Sequence, residues 1–493
     1  MHPPLKAGTP SAVSTRLGRV LIIAVTACSF KAAAADLPKP VAEALRKASI
    51  PQSAVGVWVQ ALGASAPTIS LNTRDAMNPG STMKLVTTLA ALELLGPAYR
   101  WKTEVYLDGP DLVLRGRGDP KLNAESFWML LRNVRGRGVR ELRGDVILDR
   151  SYFAPAQYAP LDDDVYRTYN VPPDALLVNF KALRLTFIPD DKGVQIYSEP
   201  TLPGLQVVNA LKLGGGPCPD GSRPFRDVTQ ASFQSLPPRA TFTGTYPVSC
   251  GERELNVAIH DPQEYFAAFL RGLWTELGGT WTGGVRDGVV SPTAKLLYVH
   301  ESEPLSELVR DINKFSNNVM ARQLFLTIGA EKGGPPARAE EAVRAIKDWV
   351  ASKKISAPEL ALENGSGLSR NERISVEHLA ALLQAAWGSA MMPEFISSLP
   401  VVATDGTMKR RLNNHRVAGS AHIKTGLLSD ARAIAGYVLD RHGRRHVVVM
   451  IVNHARARDA DVAQDALLEW IYEGPTAPTR PITNRPVASP PRP

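Results

Sequence analysis

Three short groups of residues in this 493-residue chain carry side chains suited to acyl transfer: Ser81-Thr82-Met83-Lys84, Ser316-Asn317-Asn318 and Lys424-Thr425-Gly426. A serine hydroxyl attacks a carbonyl readily only when a base takes its proton, and a lysine is a base only when its ammonium form is disfavoured. Pro79-Gly80 breaks the chain, and Leu85, Val86, Leu89, Leu92 and Leu95 then recur at helical spacing until Gly96-Pro97. Ser81 is therefore expected at the N-terminus of a buried helix, with Lys84 one turn on along the same face. Burial and the positive end of the helix dipole both favour a neutral Lys84 there, able to take the Ser81 proton. The plainer alternative is a capping serine followed by a surface lysine. A capping box, however, would want Glu or Gln where Lys84 stands.

The other two groups are weaker alone. Ser316-Asn317-Asn318 precedes an apolar run through Val319, Met320, Leu324 and Phe325, which also reads as a polar helix start capped by Ser316. Lys424-Thr425-Gly426 closes the strand-like stretch Ala421-His422-Ile423. Two further strand-like runs, Ala433 to Leu439 and His446 to Val452, follow around a turn at Asp440 to Gly443. Gly426 suits close approach of a ligand to the backbone.

The elements that position these groups come from both ends of the chain. Ala54 to Gln60 and Thr68 to Asn72 read as a hairpin ahead of the Ser81 helix. A helix from about Asp461 to Tyr472 follows the C-terminal strands. The middle, residues 99–290, reads as a strand-rich insertion with one helix-like run, Phe266 to Leu277. The expected division is a leader at 1–35, the outer domain at 36–98 and 291–473, the insertion between them, and a disordered proline-rich tail at 474–493.

Arg16 and Arg19 ahead of Val20 to Val25, with small residues at Ala32 to Ala35, read as a signal peptide cleaved near Ala35. Val25-Thr26-Ala27-Cys28 leaves a second course open, lipidation at Cys28. No stretch is long enough to hold the mature protein across a bilayer. Cys218 and Cys250, in turn-rich sequence of an exported chain, are expected to form a disulfide, with two separate thiols as the alternative. The formal charge of +9 rests largely on Lys6, Arg16, Arg19 and Lys31 in the leader and Arg480, Arg485 and Arg492 in the tail. The body is nearly balanced, which argues against a nucleic-acid partner. The histidines show no metal-ligand spacing, and no metal or cofactor is expected.

Ser-x-x-Lys, Ser-x-Asn and Lys-Thr-Gly in this order resemble the motifs of the penicillin-recognising serine enzymes. The long gap from residue 85 to residue 315 narrows the resemblance to the class C low-molecular-mass penicillin-binding proteins, the D-alanyl-D-alanine carboxypeptidase/endopeptidase family. Gly116 to Pro120, Gly144-Asp145, Asp149 to Phe153, Asn364 to Arg370 and Asp405 to Met408 are similar to stretches of that family. The resemblance implies an α/β (α+β) domain, β-lactamase/transpeptidase-like, with the strand-rich insertion as its hallmark.

It further implies that Ser81 is the nucleophile and Lys84 its base, with Ser316 helping to relay a proton to the departing amine and Lys424, a substrate-binding residue, close to it. Asn318 would hold the substrate amide, Thr425 the terminal carboxylate, and the backbone N–H groups of Ser81 and Leu427 the oxyanion. Leu427 departs from members that carry a hydroxyl residue after Lys-Thr-Gly. The stretches around Asp119 and Ser366 read as structural. Implied partners are peptidoglycan stem peptides and cross-links, with β-lactam antibiotics as covalent inhibitors, in the periplasm. A β-lactamase or esterase is the alternative that keeps the acyl-enzyme. A non-catalytic peptidoglycan-binding protein has no need of an intact Ser81/Lys84 pair.

Overall fold

The structure is a computed structural model that describes residues 37–156, 163–259 and 261–474. The expected signal peptide, Cys28 and all but the first residue of the tail lie outside the described residues.

A five-stranded antiparallel sheet runs in the order Ala421–Leu427, Ala431–Leu439, Arg445–Asn453, Val55–Ala61, Ile69–Leu71. The first strand of the chain thus pairs with its last, Val57 standing opposite Met450. Successive side chains of a strand point to opposite faces, and here both faces are covered. Val448, Met450 and Val452 pack with Val41, Leu45, Leu467 and Leu468 beneath the terminal helices Lys39–Lys47 and Asp461–Glu473. Val447, Val449 and Ile451 face the helices Lys84–Leu95, Leu305–Lys314, Asn318–Gly333 and Val376–Trp387. That double burial explains why the strands read as continuous apolar runs.

The Lys84–Leu95 helix is buried at every position from Lys84 to Leu92. A helix enclosed on all sides has no polar stripe, so lysine at its first residue is an anomaly that calls for partners.

The middle of the chain has its own core. A sheet in the order Val285–Asp287, Val146–Asp149, Asp111–Gly116, Lys102–Asp108, Lys295–Glu301 packs on the helices Ala124–Gly136 and Pro262–Glu276 through Leu112, Leu114, Phe127, Leu130, Phe266 and Phe269. The boundary expected at residue 290 falls before the last strand of this sheet, because Lys295–Glu301 pairs with Lys102–Asp108. The helix expected from Phe266 begins at Pro262, where Asp261 accepts from the Gln263 N–H at 2.9 Å. Ala124–Gly136 and the short Ser222–Val228 helix add to the single helix expected there. A Cys218–Cys250 disulfide ties the loop after Lys212–Gly214 to the turn Val248–Cys250. No helix among the described residues is long and apolar enough to cross a membrane.

Candidate active site

Ser81 lies in a 3-10 turn, Gly80–Met83, that runs directly into the Lys84–Leu95 helix. One turn of spacing brings Lys84 Nζ to 2.9 Å from Ser81 Oγ. The same nitrogen is 2.5 Å from Asn318 Oδ1 and 2.5 Å from the Ser366 carbonyl oxygen. Lys84 is wholly buried. Burial drives its pKa well below the ordinary lysine value, the charge of Lys424 lowers it further, and Glu372 opposes them.

A single loop brings the Ser366 carbonyl to Lys84. Glu372, also buried, accepts the backbone N–H groups of Glu363, Asn364, Gly365 and Gly367 at 2.7–3.1 Å. Burial raises its pKa against those hydrogen bonds. The loop so gathered presents the Ser366 carbonyl to Lys84. A Cβ on Gly367 (φ +77°) would fall 1.9 Å from the Gly80 carbonyl oxygen, so only glycine lets this loop lie against the Ser81 turn. The Asn364–Arg370 stretch, expected to be structural, therefore touches the site through a backbone atom.

Ser316 does not cap the following helix. Asn317 does, its side chain accepting from the Met320 N–H at 3.0 Å. Ser316 takes a left-handed conformation (φ +56°), and its hydroxyl meets Lys424 Nζ at 2.9 Å. Lys424 is fully buried, which pushes its pKa down to about 7.

The strand Ala421–Leu427 reaches the Ser81 turn at Gly426. A Cβ there would lie 2.4 Å from the Pro79 carbonyl oxygen and 3.1 Å from the Ser81 nitrogen. One on Gly80 would lie 3.1 Å from the Leu427 nitrogen. The glycine is thus required first for backbone against backbone, which brings the Ser81 and Leu427 N–H groups to one junction.

Thr425 Oγ1 lies 2.9 Å from Thr407 Oγ1, a contact absent from the sequence reading. Thr407 is carried by Asp405-Gly406, and Asp405 takes Lys314 Nζ at 2.6 Å and the Val401 N–H at 2.8 Å. Burial works to raise the Asp405 pKa, but these bonds outweigh it and hold it below the usual carboxylate value. Lys314 is two residues before Ser316, so its ion pair with Asp405 links the Ser316 segment to the one that carries Thr407.

The arrangement places a hydroxyl, a desolvated amine, a second hydroxyl–lysine pair and a pair of threonines around one junction, with backbone donors beside it. Among the described residues, no three His, Cys, Asp or Glu side chains gather as metal ligands.

Comparison with known proteins adds ancestry. Residues 37–473 match the model of the D-Ala-D-Ala carboxypeptidase 3 (S13) family. The D-alanyl-D-alanine carboxypeptidase of an Actinomadura species is 28% identical over 82% of this chain and 79% of its own length. The D-alanyl-D-alanine carboxypeptidase DacB of Haemophilus influenzae is 23% identical over 76% of this chain and 80% of its own. The crystal structure of penicillin binding protein 4 from H. influenzae superposes with a TM-score of 0.71 at 20% identity, covering 87% of this chain and 99% of that one. That protein has also been solved in complex with a β-lactam.

Proposed function

The chain belongs to the D-Ala-D-Ala carboxypeptidase 3 (S13) family, and on that premise we propose that it hydrolyses the terminal D-Ala-D-Ala bond of peptidoglycan stem peptides through an acyl-enzyme on Ser81. One observation carries the assignment: Lys84 Nζ stands between the Ser81 hydroxyl and two oxygens that can only accept. A neutral amine has two N–H bonds and one lone pair. Asn318 Oδ1 and the Ser366 carbonyl take the two N–H bonds, so the lone pair is left for the Ser81 proton.

Ser81 Oγ then bonds to the carbonyl carbon of the penultimate D-alanine as its proton passes to Lys84. The oxyanion meets the N–H groups of Ser81 and Leu427, the two brought together at Gly426. When the C–N bond breaks, the departing amine takes a proton through the Ser316 hydroxyl, which Lys424 adjoins. Water attacks the ester and releases the shortened peptide. Thr425 and Thr407 receive the free carboxylate of the terminal residue, Thr407 supplying the second hydroxyl that Leu427 lacks. Asn318 is reassigned in part: its carbonyl oxygen serves Lys84, and its NH₂ group is the end available for the substrate amide.

A β-lactam ring carbonyl occupies the same position and leaves a longer-lived ester, which makes penicillin an inhibitor. The outer parts of the chain form the catalytic domain and 99–301 the insertion, the whole acting as an exported periplasmic enzyme. The test is D-alanine release from a stem peptide. Ser81→Ala abolishes it, and Lys84→Ala lowers it by about 10²- to 10⁴-fold, the usual worth of a general base. A Lys84→Ala enzyme within a few-fold of wild type would place the proton acceptor elsewhere.

A further inference from the structure

The near balance of charge over the body conceals an uneven distribution. Arg132, Arg135, Arg137, Arg140 and Arg143 fall within twelve residues of the insertion, at the end of the Ala124–Gly136 helix and in the turn beyond it. We infer that this patch is a docking site for the carboxylate-bearing wall polymer, holding the enzyme on peptidoglycan from outside the catalytic site. The inference rests on the proposed carboxypeptidase reading and adds to it a binding surface remote from Ser81.

The fold draws the patch together. Arg132 and Arg135 stand one turn apart on one side of the helix. Arg135 donates to the Arg140 carbonyl at 3.4 Å. Thr280–Trp281 pairs with Glu141–Leu142, so Trp281, with the guanidinium of Arg271 over its ring, lies beside the same turn. Glu141 forms an ion pair with Arg143 at 2.8 Å. Among the described residues, Arg132, Arg135, Arg137, Arg140 and Arg271 have no ion-pairing carboxylate. Arg135 is half-buried and the other four are exposed. Like charges gathered without counter-charges repel one another, and a bound polyanion relieves that repulsion.

The guanidinium groups are held in place by rings. Arg137 lies 4.3 Å from the Tyr298 ring centroid, Arg271 4.4 Å from Trp281, Arg135 5.4 Å from Trp274 and Arg132 5.9 Å from Trp128. Stacking fixes the plane of a guanidinium and leaves N–H groups at its edge, the geometry that takes both oxygens of a carboxylate. Trp274 is buried and the other three rings are half-buried, so the rings lie beneath the charges. A membrane-docking face instead sends its apolar side chains past its charges into the lipid. Met129 and Leu296 are exposed nearby, but single exposed apolar side chains are ordinary on a protein surface.

The helix that carries the patch also reaches the catalytic site. Asn123, Ala124 and Glu125 at its start line the cavity beside Ser316 and Asn318. At 1.5 Å per residue, Ala124 and Arg135 are about 16 Å apart, the reach of about five extended peptide residues. A stem peptide bound at Ser81 therefore leaves the rest of its polymer within reach of the arginines. The stem peptide ends in a carboxylate before the reaction, and its shortened product ends in one again. The polymer thus keeps its charge through turnover, and the patch keeps the enzyme on it from one cleavage to the next. Each exposed contact is weak and screened by salt, so the patch works through several contacts at once.

The experiment uses the full-length protein with purified peptidoglycan sacculi and with a soluble stem peptide ending in D-Ala-D-Ala. Two triple variants are compared, Arg132→Glu/Arg137→Glu/Arg140→Glu and Arg132→Gln/Arg137→Gln/Arg140→Gln. A control reverses three exposed charges elsewhere, Arg344→Glu/Arg410→Glu/Arg458→Glu. Co-sedimentation of the Ser81→Ala protein with sacculi should weaken with added salt and fall at least about tenfold in the Glu triple variant, less in the Gln variant, as expected when several weak contacts are lost together. With Ser81 intact, D-alanine release from sacculi should fall in parallel, while release from the soluble peptide and penicillin labelling stay near wild type. Should the Glu variant lose labelling, the Gln variant, which adds no charge, carries the comparison. Sacculus binding unchanged in both variants overturns the inference, as does an equal loss in the control. Loss of binding to anionic phospholipid vesicles with sacculus binding intact overturns it in favour of a membrane partner. Failure of wild type to label or to release D-alanine from the soluble peptide would instead defeat the acyl-enzyme reading, which the sacculus binding of the Ser81→Ala protein does not test.

Discussion

Recognition of the terminal carboxylate can be dissected at Thr425, Thr407 and Leu427. The two threonine hydroxyls lie 2.9 Å apart, close enough to reach both oxygens of one carboxylate. A hydrogen bond to a charged group contributes about 1.5–3 kcal/mol, so removing either hydroxyl should lower kcat/KM on a D-Ala-D-Ala peptide by about 10- to 150-fold. Thr425→Val and Thr407→Val should each produce that loss, with little effect on a small thioester that has no carboxylate. The double variant should fall short of the product of the two single losses, because each hydroxyl orients the other. Leu427→Thr in the Thr407→Val background should restore part of the discrimination, since it returns a hydroxyl to the end of the same strand. The assay is steady-state hydrolysis of peptide acid, peptide amide and thioester side by side. Equal losses on all three would mean that the threonines hold the Asp405–Met408 segment in place and do not read the substrate.

The lysine pair gives the reaction a pH signature. Lys424 carries its charge below its pKa of about 7 and loses it above, so kcat/KM for the carboxylate substrate should decline as pH rises past neutrality, and the thioester should lack that limb. Folding also drives protons off both lysines, so the unfolded chain binds more protons between about 7 and 10.5, and thermal stability should rise with pH across that window; stability that stays flat there would mean the amines stay charged when buried. Glu372→Gln should slow acylation of Ser81 more than it changes KM, because it loosens the loop that offers the Ser366 carbonyl to Lys84; an unchanged acylation rate would show that the loop holds without the carboxylate. Loss of the Cys218–Cys250 bridge should cost about 2–5 kcal/mol of stability and leave penicillin acylation intact, which denaturant titration and labelling together would check.

The helix that begins at Lys84, one turn after Ser81, was legible because its apolar residues keep strict helical spacing between two Pro/Gly breaks. The strands at both chain ends were legible because β-branched residues fill both faces of a doubly covered sheet. The partners of Lys84 were less so. The Ser366 carbonyl is a backbone atom and leaves no mark in the sequence, and Glu372 looks like any surface glutamate until the fold buries it. Thr407 sits in a stretch that was noticed, but only the Lys314–Asp405 ion pair shows which way it is held. Taken alone, Ser316 passes for a cap as readily as Asn317 beside it, and only the backbone shows that Asn317 caps the helix. The insertion boundary was placed early because Lys295–Glu301 pairs with a strand nearly two hundred residues upstream, a non-local choice that local patterning does not encode. The Ala124–Gly136 helix went unread although Phe127, Leu130, Leu131 and Val134 carry helical spacing.

Intact-protein mass spectrometry after penicillin treatment, followed by peptide mapping, tests the central claim most directly. One equivalent of penicilloyl adduct on the peptide that contains Ser81, absent in Ser81→Ala, is the expected result. An adduct on another residue, or labelling that persists undiminished in Ser81→Ala, would contradict the account.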